Sequence, residues 1–209
     1  MAKLGLLVAA IMLGSCSSMY YNTMEFFGQE KRDLLRSNLL ELGEDQEEAK
    51  EEFEDVLSKI RSKYYSVDGD LEKSYDRLKG DYKDLEDEVS DISDQVEKVS
   101  ELAEDLFDEW EDEADDFKNK SYRTKSLKKL EATKKKFAKV KKSAVAVESK
   151  MQKSLSVYKE QVVFVKHNLN VSAIATLNTK LGSLETEMKD LIGDIESSIK
   201  ESNELIKNL

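Results

Sequence analysis

Between Leu71 and Phe117 the chain carries two interleaved seven-residue series. One reads Leu71, Leu78, Leu85, Ile92, Val99, Leu106; the other reads Tyr75, Tyr82, Val89, Val96, Ala103, Trp110, Phe117, with Glu113 alone out of character. Steps that alternate three and four keep one face of an α-helix turned toward a partner. A sustained seven-residue period makes that contact the seam of a left-handed coiled coil. Such a pattern needs long unbroken helix, and the composition permits it: 209 residues contain no proline and eight glycines, so the commonest helix breakers are scarce. A charged fraction of 37% would suit a disordered chain if the apolar residues lacked order, but here they are periodic.

The same pattern recurs on either side. Upstream, Leu35, Leu42, Ala49 and Val56 alternate with Leu39, Gln46, Phe53 and Ile60, while Leu57 and Tyr64 widen the face. The stretch "SVDGD", 66–70, then reads as a break, with Gly69 suited to a helix end and Asp70 to the next cap. Downstream, Leu130, Phe137, Ala144 and Met151 lie beside Val140 and Val147. Two successive four-residue steps, Val147 to Met151 to Leu155, predict a stutter, with the apolar face continuing through Tyr158, Val162 and Val165. "HNLNVSA", 167–173, reads as a turn with Ser172 as the cap. A last block runs through Ile174, Leu177, Leu181, Leu184, Met188, Leu191 and Ile195, with Ile192, Ile199 and Ile206 alongside. The expected fold is all-α: an elongated antiparallel helical bundle, or coiled coil, of about four long helices joined by short turns.

The N-terminus carries a different message. Lys3 precedes an apolar stretch from Leu4 to Leu13, and "LGSC" follows, ending at Cys16. A charged start, a short apolar core and small residues before the cut are the parts of a secretory signal. Ten apolar residues are too few to span a bilayer as a helix, which takes about 20. Leu-Gly-Ser-Cys resembles the lipobox of bacterial lipoproteins, in which the cysteine is acylated and becomes the mature N-terminus. By the same resemblance, Ser17 in place of aspartate favours the outer membrane. The expected division is a lipoprotein signal peptide at 1–15, an acylated linker at 16–23 and one helical-bundle domain at 24–209. Several acyl chains, palmitate among them, would anchor the protein firmly where one would not. Tyr20 and Tyr21 then fall where rings suit the headgroup interface, or pack on the end of the bundle.

Charge and residue types narrow the function. A net charge of −11 and a pI near 4.8 argue against a general nucleic-acid binder, which needs a basic surface. The single cysteine forms no internal disulfide, and His167 is the only histidine, so neither a His-rich zinc site nor a Glu-x-x-His di-iron pair is available. No Gly-x-x-x-x-Gly-Lys-Ser/Thr loop and no Gly-x-Ser-x-Gly elbow occurs. The expectation is therefore no catalytic residue, no metal, no cofactor and no small-molecule substrate. His167 reads as a cation placed at a helix end, and Trp110 as core.

One feature runs against the overall acidity. Residues 118–142, which include "KKLEATKKKFAKVKK", hold twelve basic side chains against Glu131, whereas residues 81–116 hold eighteen acidic ones against Lys83 and Lys98. If the two segments fold back as a hairpin, with a turn near 119–124, they lie about 10 Å apart and largely neutralise one another. In heptad terms Lys129, Lys134, Lys136 and Lys141 flank the seam and reach toward a neighbouring helix. Lys128, Lys135 and Lys142 fall on the far side, and Lys139 on the outer face beside them. These four are the candidate contacts for an anionic lipid or partner surface.

Read in order, "YYNTMEFFGQEKRDLL", "DGDLEKSYDRL", "LFDEWEDE" and "VKHNLNVSAIATL" resemble an uncharacterised family of gammaproteobacterial proteins, domain of unknown function 2959, over about residues 19–207. The resemblance brings no activity with it. The function expected is structural: a periplasm-facing lipoprotein anchored in the outer membrane through Cys16, organising the envelope through protein contacts or self-association. The alternative is a membrane-binding or curvature-shaping coiled coil similar in logic to BAR dimers.

Overall fold

The computed structural model describes residues 31–62, 71–168 and 171–209. They form four helices and no strand: α1 (Lys31–Arg61), α2 (Leu71–Asp115), α3 (Lys120–His167) and α4 (Val171–Ile206). At 1.5 Å per residue these are about 46, 68, 72 and 54 Å long. Each helix packs on its neighbours in the chain, and α4 closes the ring against α1. Charged and polar pairs set the directions. Lys31 meets Glu109 while Lys59 meets Asp81, and Gln46 meets Ser198 while Arg61 meets Glu185. Ser93 meets Glu148 while Lys134 meets Glu111, and Lys150 meets Asp194 while Lys153 meets Glu187. Every sequential pair is antiparallel, giving an up-down-up-down four-helix bundle. The expected all-α antiparallel bundle is what forms.

The seams are more regular than their apolar residues suggest. In α1, Leu35, Leu39, Leu42, Gln46, Ala49, Phe53, Val56 and Ile60 are all buried, with alternating steps of four and three. In α3 the alternation continues through Val147, Met151, Ser154, Tyr158, Gln161 and Val165. The stutter expected at Leu155 is therefore absent. Ser154 holds the buried place and Leu155 lies on the flank, a substitution that an apolar count cannot see. In α4 the same happens with Ser198 and Ser202, which sit in the core between Ile195 and Leu205, while Ile199 and Ile206 flank it. The slip in phase lies in α2 instead. Ser74 and Asp81 take the buried places expected for Tyr75 and Tyr82, which are half-buried. Asp81, Leu85 and Val89 then follow in two successive four-residue steps.

Two buried polar side chains, Gln95 and Gln46, pair across helices. Gln95 Nε2 donates to Glu41 Oε2 at 3.0 Å and to the Asn38 carbonyl at 3.0 Å, and Asn38 Nδ2 donates to the Leu34 carbonyl at 2.8 Å. Gln46 Nε2 donates to Ser198 Oγ at 3.2 Å, whereas Gln46 Oε1 and Ser202 Oγ are buried without a partner among the described residues. Polar groups at single seam positions oppose a slipped register, because any slip leaves them buried against carbon.

The connections differ from the expected ones in detail. The α2–α3 turn occupies residues 116–119, earlier than the expected 119–124, because Asn119 caps α3: its Oδ1 accepts from the Ser121 amide at 2.9 Å. Phe117, expected to extend the α2 seam, lies beyond the helix end and is exposed. At the other end of α3, Asn168 is the C-terminal cap and α4 is already helical at Val171, so Ser172 is not its cap. The expected break at 66–70, Cys16, Tyr20, Tyr21, the boundaries 1–15 and 16–23, and the start of the bundle at 24 lie outside the described residues.

Candidate functional site: the charge-split hairpin

Helices α2 and α3 bring the acidic and basic segments together. The last turn of α2 contains no base, and the first turn of α3 contains no acid. Both ends thus carry charges that oppose their helix dipoles, and the opposition is relieved across the hairpin. Arg123 pairs with Asp115 at 2.6 Å, Lys134 with Glu111 at 3.0 Å and Lys141 with Glu104 at 3.3 Å. Lys134 also lies over the Phe107 ring, which meets Phe137 edge-on at 5.7 Å. Three of the four lysines expected to reach across the seam do so, Lys134 and Lys141 by ion pairs and Lys129 by lying over the Trp110 ring at 5.7 Å, whereas Lys136 lines a groove toward the end of α4. Each ion pair is well exposed, so each contributes at most about 1 kcal/mol; their effect is on register.

The four outward candidates are all exposed, but they are not equivalent. Lys135 is held along its own helix by Glu131 at 2.6 Å, and this hydrogen bond lowers the Glu131 pKa. Lys139 does not face open solvent alone. With Lys136 it lines a groove of about 440 Å³ against the end of α4, where Glu201, Glu204 and Lys207 form the other wall. Mixed charge makes that groove a poor anion site. Lys128 and Lys142 make no ion pair with a described residue.

Trp110 joins the hairpin to the start of α1. Its indole Nε1 donates to Ser126 Oγ at 2.9 Å, and Arg32 covers the ring at 4.7 Å from its centroid. The expected core role of Trp110 holds, with one cation–π contact added from α1 and one from α3. Sequence periodicity places Trp110 in the seam, but Arg32 lies outside every heptad series and gives no such signal. His167 is the last residue of α3 and exposed, beside Lys166 where cations suit the helix end.

Glu52, Asp81 and Asp84 bring carboxylate oxygens within 4.8 Å of one another. The adjacent cation is Lys59, whose Nζ is 2.6 Å from both Asp55 and Asp81. Burial works against its charge, yet the hydrogen bonds it donates to these two carboxylates outweigh it and hold the Lys59 pKa well above the ordinary value. Lys59 offsets part of the negative charge that Glu52, Asp55, Asp81 and Asp84 gather between α1 and α2. No described helix is long and apolar enough to cross a membrane.

What the fold and this surface define is an all-α, antiparallel four-helix bundle protein with a charge-split hairpin. More particularly, the chain belongs to the family described as Protein of unknown function (DUF2959), whose model matches residues 20–209. No curated protein and no solved structure matches it.

Proposed function

We propose that this protein is a non-enzymatic lipoprotein of the outer membrane, facing the periplasm, in which acyl chains on Cys16 hold an elongated bundle that organises the envelope through protein contacts. The observation that carries the reading is the sequence from Lys3 to Cys16: a charged start, ten apolar residues and Leu-Gly-Ser-Cys. One feature of the bundle supports it. The long faces are lined with charge, as in Lys98–Glu41, Lys141–Glu104 and Lys153–Glu187, which suits salt-dependent contacts with envelope proteins or further copies.

Replacing Cys16 with alanine tests the reading. The wild-type protein should fractionate with the outer membrane and resist extraction by salt, and Cys16→Ala should leave that fraction. Retention of Cys16→Ala in the outer membrane would sink the anchoring.

A further inference from the structure

The apex of the α2–α3 hairpin is unlike the rest of the surface. Phe117 is 45% exposed and Tyr122 is 59% exposed. Both sit at the turn, where the Asn119 cap fixes the backbone between them. Around them Lys118, Lys120, Lys125 and Lys128 are exposed and make no ion pair with a described residue. The fifth cation, Arg123, is occupied by Asp115. Exposed rings next to uncommitted lysines are the combination that a phospholipid surface takes, with rings at the headgroup level and ammonium groups on phosphates.

The position of the apex in the bundle points the same way. Lys31, the first residue of α1, lies opposite Glu109, and α2 continues from there to Asp115 before it turns. The apex thus stands about 10 Å beyond the start of α1. On the other side α4 ends against Lys136 and Lys139, so α3 runs on from there to Lys120 without it. Cys16 precedes Lys31 by fifteen residues, a tether of at most about 50 Å. From Lys31, α1 leads about 46 Å away toward the opposite end. The chain that carries Cys16 therefore joins the bundle at the apex end.

We infer that the hairpin apex, through Phe117, Tyr122, Lys118, Lys120, Lys125 and Lys128, is a membrane-contacting tip that seats on anionic phospholipid. The contact uses the turn and the α3 flank. Asp112 and Glu113 on the α2 flank, with Asp116 where the turn leaves α2, are exposed and orient the tip by repulsion. The inference rests on the anchored reading for a membrane lying near this end, but its chemistry is tested on a chain that carries no lipid.

The test uses the unacylated chain from residue 16 onward with Cys16→Ala, sedimented with phosphatidylglycerol/phosphatidylcholine vesicles or with phosphatidylcholine alone. Binding to the anionic vesicles only is expected, weakening with salt. Lys118→Ala/Lys125→Ala should lower the partition coefficient by about tenfold or more. Phe117→Ala/Tyr122→Ala should lower it as well, with the helical circular dichroism unchanged because both rings are exposed. Three results overturn the inference: no binding, binding insensitive to the apex variants, or binding lost with Lys135→Glu/Lys142→Glu while the apex is intact. A fourth is a dimer in solution that Phe117→Ala/Tyr122→Ala converts to monomer, which would make the apex a contact between copies. Retention of Cys16→Ala in the outer membrane of cells, which sinks the anchored reading, leaves all four readouts unaffected, so the two readings fail separately.

Discussion

Arg32 lies over the ring of Trp110, its guanidinium carbon 4.7 Å from the ring centroid, and so fastens the first turn of α1 to the hairpin near its apex. Lys129 approaches the same ring, and Ser126 accepts the indole hydrogen bond. Three helices therefore meet at one side chain that is only 7% exposed.

Trp110→Phe keeps most of the packing but removes the hydrogen bond and weakens both cation–π contacts. Trp110→Ala opens a cavity as well and should cost about 3–5 kcal/mol. A double-mutant cycle of Arg32→Ala with Trp110→Phe should give a coupling of about 0.5–2 kcal/mol. Urea unfolding followed by circular dichroism measures both. A coupling indistinguishable from zero would separate Arg32 from the ring.

The Gln46–Ser198 pair should respond unequally to its two partners. Ser198→Ala leaves the buried Gln46 amide without an acceptor and should destabilise by about 1–3 kcal/mol. Gln46→Leu removes a buried amide whose Oε1 already lacks a partner among the described residues. That change should be near neutral or stabilising, at the cost of a fixed register, which the sharpness of the amide NMR spectrum would report. Equal losses in the two variants would contradict the pairing.

An acidic seam between α1 and α2 sets the pH dependence. Burial, followed by repulsion from neighbouring carboxylates, raises the pKa of Asp45 and of Glu88. Burial also raises that of Glu52, against the opposing pull of Lys59. A carboxyl with a raised folded pKa binds more protons folded than unfolded, so its contribution to stability increases as pH falls. The window runs from the raised values down to the ordinary carboxylate pKa near 4.3. Glu88→Gln should thus raise the urea midpoint at pH 7, and the gain should vanish toward pH 4. A gain that grows on acidification would reverse the sign.

Four glycines lie within helices where a Cβ would meet nothing within 4 Å: Gly43, Gly80, Gly182 and Gly193. Alanine at each should stabilise by about 0.5–1 kcal/mol, because glycine loses more freedom on folding. Gly80→Ala and Gly193→Ala, far apart and on different helices, should add. Thermal unfolding of the double variant checks the sum.

The parts of this fold legible in the sequence are those where carbon carries the pattern. The α1 seam reads directly, since Gln46 is its sole polar member among Leu35 to Ile60. Where serine, glutamine or aspartate fills a seam position, the apolar pattern points to its neighbour: Leu155 for Ser154, Tyr82 for Asp81. Some of these buried polar residues meet partners that only the fold brings near, as Lys59 is to Asp81 and Ser198 is to Gln46. Similarly, the charge blocks announce the hairpin but not its turn. A helix cap depends on one side chain, Asn119, and its position moves Phe117 from core to apex. Residues of high charge gave the basic run its prominence, yet Lys134 and Lys141 are spent within the bundle.

The most direct test of the account is the mass of the mature N-terminus. Protein purified from membranes of the native host and analysed by intact mass and N-terminal peptide mass spectrometry should begin at Cys16, lack residues 1–15, and carry thioether-linked diacylglycerol with an amide-linked acyl chain. A mature protein that retains Lys3 and the apolar stretch, or begins elsewhere with an unmodified Cys16 thiol, would contradict it.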